Sequence, residues 1–185
     1  MRNFAEQPWG ISASVISIAG HRYAALHLAD QLELFNHQLR AYNKHISELL
    51  AQHPDREIFT SFPAADRVIA AELLAEIGQD RDRFPNPQVL LAEAGAAPVT
   101  LASGKIQRVH IRRACNRRLR ATSTTWAHVL KRIDPISRTR YLAAMERGTT
   151  YHGALRAVSS SWLRVLWRCW QDGTTYDRER HRPTN

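Results

Sequence analysis

Cysteine and long apolar runs are both scarce in this chain of 185 residues, and each shortage excludes a class of protein. Only Cys115 and Cys169 occur, outside any CxxC or Cys/His cluster, so neither a disulfide framework nor a zinc site is indicated. We interpret both as buried thiols. No stretch approaches the roughly 18 apolar residues that cross a bilayer, and Val15 to Ala19 is too short for a signal peptide. We therefore expect a soluble, cytoplasmic protein without a membrane partner.

Acidic residues are missing from one long window. Between Ala94 and Ile133 there is no Asp or Glu, although the whole chain has 17. The window contains nine basic residues, as many as the net charge of +9: Lys105, Arg108, Arg112, Arg113, Arg117, Arg118, Arg120, Lys131 and Arg132. Such a window favours a nucleic-acid phosphate backbone as partner over acidic lipid or acidic protein. Arginine suits bidentate phosphate contacts, but charge alone does not separate DNA from RNA.

Apolar residues repeat at alternating steps of three and four in the first third of the chain. The repeat, called the seam below, consists of Ala25, Leu28, Leu32, Phe35, Leu39, Tyr42, Ile46 and Leu49. A heptad pattern of this length predicts a coiled coil or helical hairpin over residues 21–55. The alternative is a long helix docked on its own domain. Residues 1–20, with Pro8, Gly10 and Gly20, are expected to form a weakly ordered leader.

The rest of the chain predicts short helices around one extended segment. Helices are expected over 65–77, 87–94, from about 116, from 135 to before Gly148, and from 151 to Gly173. Between Pro98 and Ile111 the helical period disappears, as in a β-hairpin whose exposed tip holds Ser103-Gly104-Lys105. The predicted fold class is mainly α: a long coiled-coil-like helix followed by a compact helical domain with a short β-hairpin. The tryptophans after residue 120 are expected in the core rather than stacked on bases.

Many residues of the basic window and its surroundings match one known signature. They are Phe84, Gly95, Pro98, Val99, Thr100, Ser103, Gly104, Lys105, Arg112, Arg113, Ala114, Cys115, Asn116, Leu119, Arg120, Trp126, Ala127, Tyr141, Arg147, Gly148, His152, Ala154 and residues 170–176. This pattern resembles the C-terminal domain of the insertion sequence one-ten family of transposases. The resemblance covers residues 56–177 and leaves 178–185 as a tail.

The resemblance implies a serine recombinase built in two parts. An N-terminal RuvC-like nuclease domain with four acidic residues would hold Mg²⁺, a coiled coil would follow, and the C-terminal domain would carry the nucleophile at Ser103. That serine would attack a DNA phosphodiester and form a covalent phosphoserine link. The implied partners are DNA, a guide RNA and further copies in a dimer or higher oligomer. Because no acidic nuclease domain precedes residue 56, we expect a truncated chain, without a cofactor of its own, that is inactive alone.

Several residues fit the chemistry that this resemblance implies. We predict that DNA is contacted by Lys105, Arg108, His110, Arg112, Arg113, Arg117, Arg118 and Arg120. Lys105, Arg112 and Arg113 could stabilise the charge that develops on the attacked phosphate, and His110 is a candidate base or phosphate contact.

Two other groups of residues could be taken for a second phosphate contact and a metal site. Residues 61–66 occupy the place of a glycine-containing helix-hairpin-helix turn in the family, but contain no glycine, so we expect a weaker phosphate contact there. Glu72 and Glu76 share a helix face and are expected to be solvated or paired with Arg67 or Arg81 rather than metal ligands. Two alternatives stay open: a non-catalytic oligomerising module that binds DNA or RNA, and a basic structural protein of the nucleoid.

Overall fold

The computed structural model describes residues 15–103 and 106–180, with the backbone alone for 15, 16 and 98–111. Its elements in chain order are α1 (Val15–Ala51), α2 (Arg56–Thr60), α3 (Arg67–Ile77), α4 (Pro87–Glu93), β1 (Pro98–Ser103), β2 (Ile106–Ile111), α5 (Arg117–Ile133), α6 (Pro135–Glu146) and α7 (Tyr151–Asp172). A single 3₁₀ turn covers Arg81–Arg83. The mainly helical class expected from the sequence is confirmed. None of the helices described is long and apolar enough to span a membrane.

The chain divides into two compact units, residues 1–44 and 45–185. In the first unit α1 begins at Val15, inside the segment expected to be a weakly ordered leader. Gly20 lies within this helix; a helix tolerates an interior glycine at a penalty of about 1 kcal/mol. The helix ends at Ala51 rather than at residue 55. From Ile18 to Lys44 every side chain of α1 is exposed, the seam leucines included.

Polar caps fix where the helices of the second unit begin. Asp66, Asn86, Asp134 and Thr150 each accept a hydrogen bond from the backbone N–H three residues later. Such a bond satisfies one of the donors that a helix start leaves free. Pro87 and Pro135 follow two of these caps at the first helical position, as predicted. The sequence did not predict α2 or the 3₁₀ turn, because five and three residues are too few to show a period.

The core of the second unit is built around tryptophan side chains from α5 and α7. Trp126, Trp162 and Trp170 are fully buried, and Trp167 is half-buried. Each indole N–H has an acceptor, at 2.7–3.1 Å: Pro63 O, Ser137 Oγ, Asp55 Oδ2 and Phe84 O. Burial with satisfied donors confirms that these rings pack in the core rather than stack on bases.

Asp55 links the beginning of the second unit to its last helix. Its carboxylate is almost wholly buried and accepts from Arg81 Nη2 at 2.7 Å and from Trp170 Nε1 at 3.1 Å. Arg81 also donates to the carbonyl of Trp170 at 2.9 Å and lies over its ring. Arg81 is therefore the partner of Asp55 and not, as the sequence suggested, of Glu72 or Glu76.

Strands β1 and β2 form a two-stranded antiparallel ribbon between α4 and α5. Pro98 pairs with Ile111 at one end, and Ser103 pairs with Ile106 at the other. Gly104 and Lys105 lie outside the described residues.

Candidate nucleic-acid interface

The register of the ribbon relates the three predicted site residues that fall on its strands. Ser103 is the last residue of β1, Arg108 pairs with Leu101, and His110 pairs with Val99. Residues directly opposite in an antiparallel pair share a face, and positions alternate along each strand. Ser103, Arg108 and His110 therefore occupy the same alternate set of positions.

The same register separates His110 from Ser103. His110 is four residues beyond Ile106, the partner of Ser103, which corresponds to about 13 Å along a strand at roughly 3.3 Å per residue. A general base must come within hydrogen-bond reach of the proton that it removes. His110 is therefore a poor candidate for the base of Ser103 within one hairpin, whereas Arg108, about 7 Å along the strand, is closer.

The loop after β2 and the first turn of α5 carry the next group of predicted contacts. Arg113, Arg117 and Arg118 are exposed, and the side chain of Arg118 is 87% accessible. The first turn of α5 contains no acidic residue. Cations at a helix N-terminus oppose the helix dipole, by a few tenths to about 1 kcal/mol each, so this arrangement does not serve stability. It suits an external anion, which both the dipole and the arginines attract.

Carboxylates do reach this region, but through the tertiary structure. Asn116 Nδ2 donates to Glu76 Oε2 at 2.7 Å, Thr122 Oγ1 donates to Glu72 Oε2 at 2.9 Å, and Arg118 Nη1 is 3.9 Å from Glu76 Oε1. Both glutamates lie on α3. Of the two roles expected from the sequence, solvent exposure holds for Glu72. The pairing with Arg67 or Arg81 was wrong, because the partners of the two glutamates are 40 to 50 residues away in the chain. The carboxylates beside α5 thus come from α3, whereas Arg117 and Arg118 belong to α5 itself and Arg113 to the loop before it.

Arg112 and Arg120 differ from Arg113, Arg117 and Arg118 because they are half-buried. Arg120 donates through Nη2 to the backbone carbonyl of Arg112 and so connects α5 to the foot of the ribbon. Neither is a freely solvated cation, and the sequence did not distinguish them from Arg113, Arg117 and Arg118.

Lys131, from the same basic window, takes part in an internal contact instead. Its Nζ lies 4.5 Å from the ring centroid of Tyr141 and 4.4 Å from that of Tyr151, and it donates to Tyr151 Oη at 3.2 Å. His128 Nδ1 is 2.8 Å from the same hydroxyl. This cluster joins α5, α6 and α7, so the charge of Lys131 contributes to packing through cation–π contacts.

The turn between α2 and α3 keeps a backbone conformation that normally favours glycine. Ala64 has φ of +59°, and it alone among the described non-glycine residues has a positive φ. Phe62 is buried beside it, and the carbonyl of Pro63 accepts from Trp126 Nε1 at 2.9 Å. A left-handed alanine costs roughly 1–2 kcal/mol, which these contacts offset. The turn therefore has a left-handed residue although it contains no glycine, and its contact with phosphate stays a prediction.

No group of three or more His, Cys, Asp or Glu side chains among the described residues is arranged to hold a metal ion.

The two thiols are half-buried rather than buried, which corrects the sequence-based interpretation. Burial raises the pKa of the Cys169 thiol, an effect that the Thr174 hydrogen bond partly offsets.

The sequence comparisons decide the family. A model of the IS116/IS110/IS902 transposase family matches residues 56–142, from α2 into α6 and across the ribbon. Residues 56–142 place this chain in the IS116/IS110/IS902 family. The resemblance inferred from the residues is thereby confirmed.

Individual members of this family align over most of the chain. A protein of the IS117 mini-circle of Streptomyces coelicolor is 34% identical over 137 residues, 74% of this chain and 33% of the relative. A 43.6 kDa protein of insertion element IS110 from the same organism is 36% identical over 151 residues, 81% and 37%. A 42 kDa protein of IS900 from Mycobacterium paratuberculosis is 34% identical over 132 residues, 71% and 33%. This chain therefore spans about a third of the length of these relatives.

Proposed function

We propose that this chain acts in DNA transposition, and that it binds DNA through the ribbon, the loop 112–116 and the first turn of α5. The observation that carries the proposal is the exposed group Arg113, Arg117 and Arg118 within the matched family segment. These side chains stand at a helix start whose dipole adds to their positive potential. The acidic face of α3 at Glu72 and Glu76 would repel a phosphate backbone, which favours approach from the ribbon side.

Within this proposal Ser103 is the nucleophile. Its Oγ would attack a DNA phosphorus, and the phosphorus–oxygen bond to the leaving strand would break. Overall the hydroxyl proton would pass to the leaving oxygen, and the serine would keep the phosphate as a diester. A second strand end could then displace the serine with no net change in the number of phosphodiester bonds. Support comes from the family match and from the position of Ser103 at the end of β1, next to Gly104 and Lys105 in the sequence. Mg²⁺, held by acidic residues of a separate nuclease domain, would add charge stabilisation at the same phosphate.

The seam of α1 supports a further part of the proposal, assembly into dimers or higher oligomers. Leu28, Leu32, Phe35 and Leu39 are 57–62% exposed along one heptad stripe. An apolar stripe of this length is unusual on a monomer and fits the a and d positions of a coiled coil between two copies. A guide RNA is a proposed second nucleic-acid partner, because the basic surface does not discriminate between phosphate backbones.

Salt dependence of binding tests the DNA-binding proposal. Each neutralised phosphate releases condensed counterion, so the double variant Arg113→Ala/Arg117→Ala should flatten log affinity against log salt by roughly two units on duplex DNA. Arg138→Ala/Arg164→Ala removes the same charge from exposed positions on α6 and α7 and should leave the slope almost unchanged. Equal slopes for the two variants would overturn the assignment of the interface.

A further inference from the structure

Two basic side chains of α5 contact one exposed tyrosine hydroxyl at the beginning of α7. Tyr151 Oη lies 2.8 Å from His128 Nδ1 and 3.2 Å from Lys131 Nζ. His128 and Lys131 are three residues apart on α5 and so share a face of that helix, whereas Tyr151 is the first residue of α7. Tyr151 is 39% exposed, so a ligand can reach it from solvent.

The chemistry of the two partners assigns a direction to these hydrogen bonds. An ammonium group has donors and no acceptor, so Lys131 Nζ donates to the Tyr151 oxygen. The phenolic O–H is then left to donate to His128 Nδ1, which places the ring proton of His128 on Nε2. The hydroxyl therefore has a proton acceptor on one side and a positive charge on the other. An adjacent base of this kind is what activates a hydroxyl nucleophile in enzymes.

The surface around this hydroxyl carries positive charge that no carboxylate balances. No ion pair of the described residues includes His128 or Lys131. The next acidic residue along the chain, Asp134, is buried and accepts from the hydroxyl of Ser137 at 2.7 Å. Arg132, beside Lys131, is exposed and adds a further positive charge. A substrate with negative charge therefore suits this end of α5.

We propose that Tyr151 is a nucleophile for phosphodiesters, separate from Ser103, with His128 as its general base and Lys131 as the charge that stabilises the developing anion. A bond forms between Tyr151 Oη and phosphorus, and the phosphorus–oxygen bond to the leaving group breaks. The phenolic proton passes through His128 to the leaving oxygen, and the phosphate stays a diester that is now joined to tyrosine. This activity goes beyond the proposed function, because the site lies about 21 Å along α5 from Arg117 and uses neither the ribbon nor the exposed arginines.

A model phosphodiester tests the nucleophile without nucleic acid. Incubated with bis(para-nitrophenyl) phosphate, the full chain should release one para-nitrophenolate and keep a para-nitrophenyl phosphate group on Tyr151, which peptide mass spectrometry locates. Tyr151→Phe removes only the hydroxyl and should abolish both the release and the label, whereas Ser103→Ala should keep both. Release that persists in Tyr151→Phe, or the absence of any label on Tyr151 in the unaltered chain, would overturn the proposal.

The labelling rate tests the roles of the two partners. His128→Phe keeps a ring without its nitrogens, and Lys131→Met keeps an unbranched side chain without its charge. Each should slow the labelling of Tyr151 by on the order of 100-fold. Lys131→Arg keeps the charge and should keep most of the rate. Arg132→Met is the matched control, because it removes a neighbouring charge that makes no hydrogen bond to Tyr151 among the described residues.

Two results separate activation of the hydroxyl from a purely structural role of the cluster. Circular dichroism selects the variants that are folded at the reaction temperature, and only their rates are compared. A folded His128→Phe that labels as fast as the unaltered chain would overturn the proposal, and so would equal rates for Lys131→Met and Arg132→Met. Labelling of Tyr151 in a chain that binds no DNA would leave this proposal standing and overturn the proposed function, whereas DNA binding without labelling would do the reverse.

Discussion

Asn116 donates its side-chain amide to Glu76 Oε2 at 2.7 Å while its side-chain oxygen accepts from the backbone N–H groups of Arg118 and Leu119. Its own backbone N–H donates to the carbonyl of Glu93 at 2.8 Å. One side chain thus starts α5 and ties it to α3, while its backbone ties it to the end of α4. The exposed arginines that follow are positioned by this residue.

Replacing Asn116 should therefore destabilise the fold by more than the loss of a cap. Asn116→Ala should lower the free energy of unfolding by about 2–3 kcal/mol, which is the sum of the helix cap and the partly buried hydrogen bond to Glu76. Asn86→Ala is the matched control, since the Asn86 side chain caps α4 with one bond from Val89 and makes no tertiary hydrogen bond among the described residues; it should cost about 1 kcal/mol. Urea denaturation measures both values, and equal losses would show that the Glu76 contact contributes nothing.

Ala64→Gly should stabilise the protein. The left-handed backbone at Ala64, φ of +59°, carries a steric penalty that glycine avoids, so we expect a gain of about 1 kcal/mol in the free energy of unfolding. Ala65→Gly is the control at the neighbouring buried position, where φ is not positive, and it should destabilise. A loss of stability in Ala64→Gly would mean that the turn does not have this conformation in solution.

The sequence could predict the short-range helix caps but not the contacts between residues far apart in the chain. Asn86-Pro87, Asp134-Pro135 and Thr150 act within three or four residues, so their positions in the chain located the helices correctly. Glu76 and Glu72 act across 40 and 50 residues, on Asn116 and Thr122, and no local pattern reports such pairings. Charge counting found the basic window correctly, but it could not show that Lys131 packs between tyrosines or that Arg112 and Arg120 lie half-buried.

The reactivity of Cys169 should follow its burial. Because burial raises its thiol pKa, alkylation by iodoacetamide should be slower in the folded chain than in urea, and its rate should go on rising above the pH at which the unfolded thiol has already ionised. Because the thiol pKa is higher in the folded chain, the unfolded chain loses this proton at a lower pH. The contribution of the protonated thiol to the free energy of unfolding is therefore fully present below the thiol pKa of the unfolded chain, and it is lost as the pH rises through the thiol pKa of the folded chain. Mass spectrometry of Cys169 peptides measures the rates; equal rates in both states would contradict the assigned burial.

The seam should control oligomeric state. Leu32→Lys/Leu39→Lys places charges at two a positions and should convert a dimer or higher oligomer to monomers in sedimentation experiments. Leu26→Lys/Leu34→Lys is a matched control, because both leucines are 55–56% exposed on the same helix but lie off the seam. If both variants keep the same mass as the unaltered chain, the seam is not the interface between copies.

The nucleophile is tested by a covalent adduct. Incubated with cognate DNA, guide RNA, Mg²⁺ and an acidic nuclease-domain fragment of a relative, the chain should form a protein–DNA link that withstands denaturing electrophoresis. Ser103→Ala should abolish the link and leave DNA affinity intact, because removing one hydroxyl takes away no positive charge. Thr100→Val is the matched control: it removes a hydroxyl from the other alternate set of positions on β1 and should keep the link. An adduct that persists in Ser103→Ala would assign the nucleophile elsewhere, and binding without any adduct in the unaltered chain would favour the non-catalytic module over the recombinase.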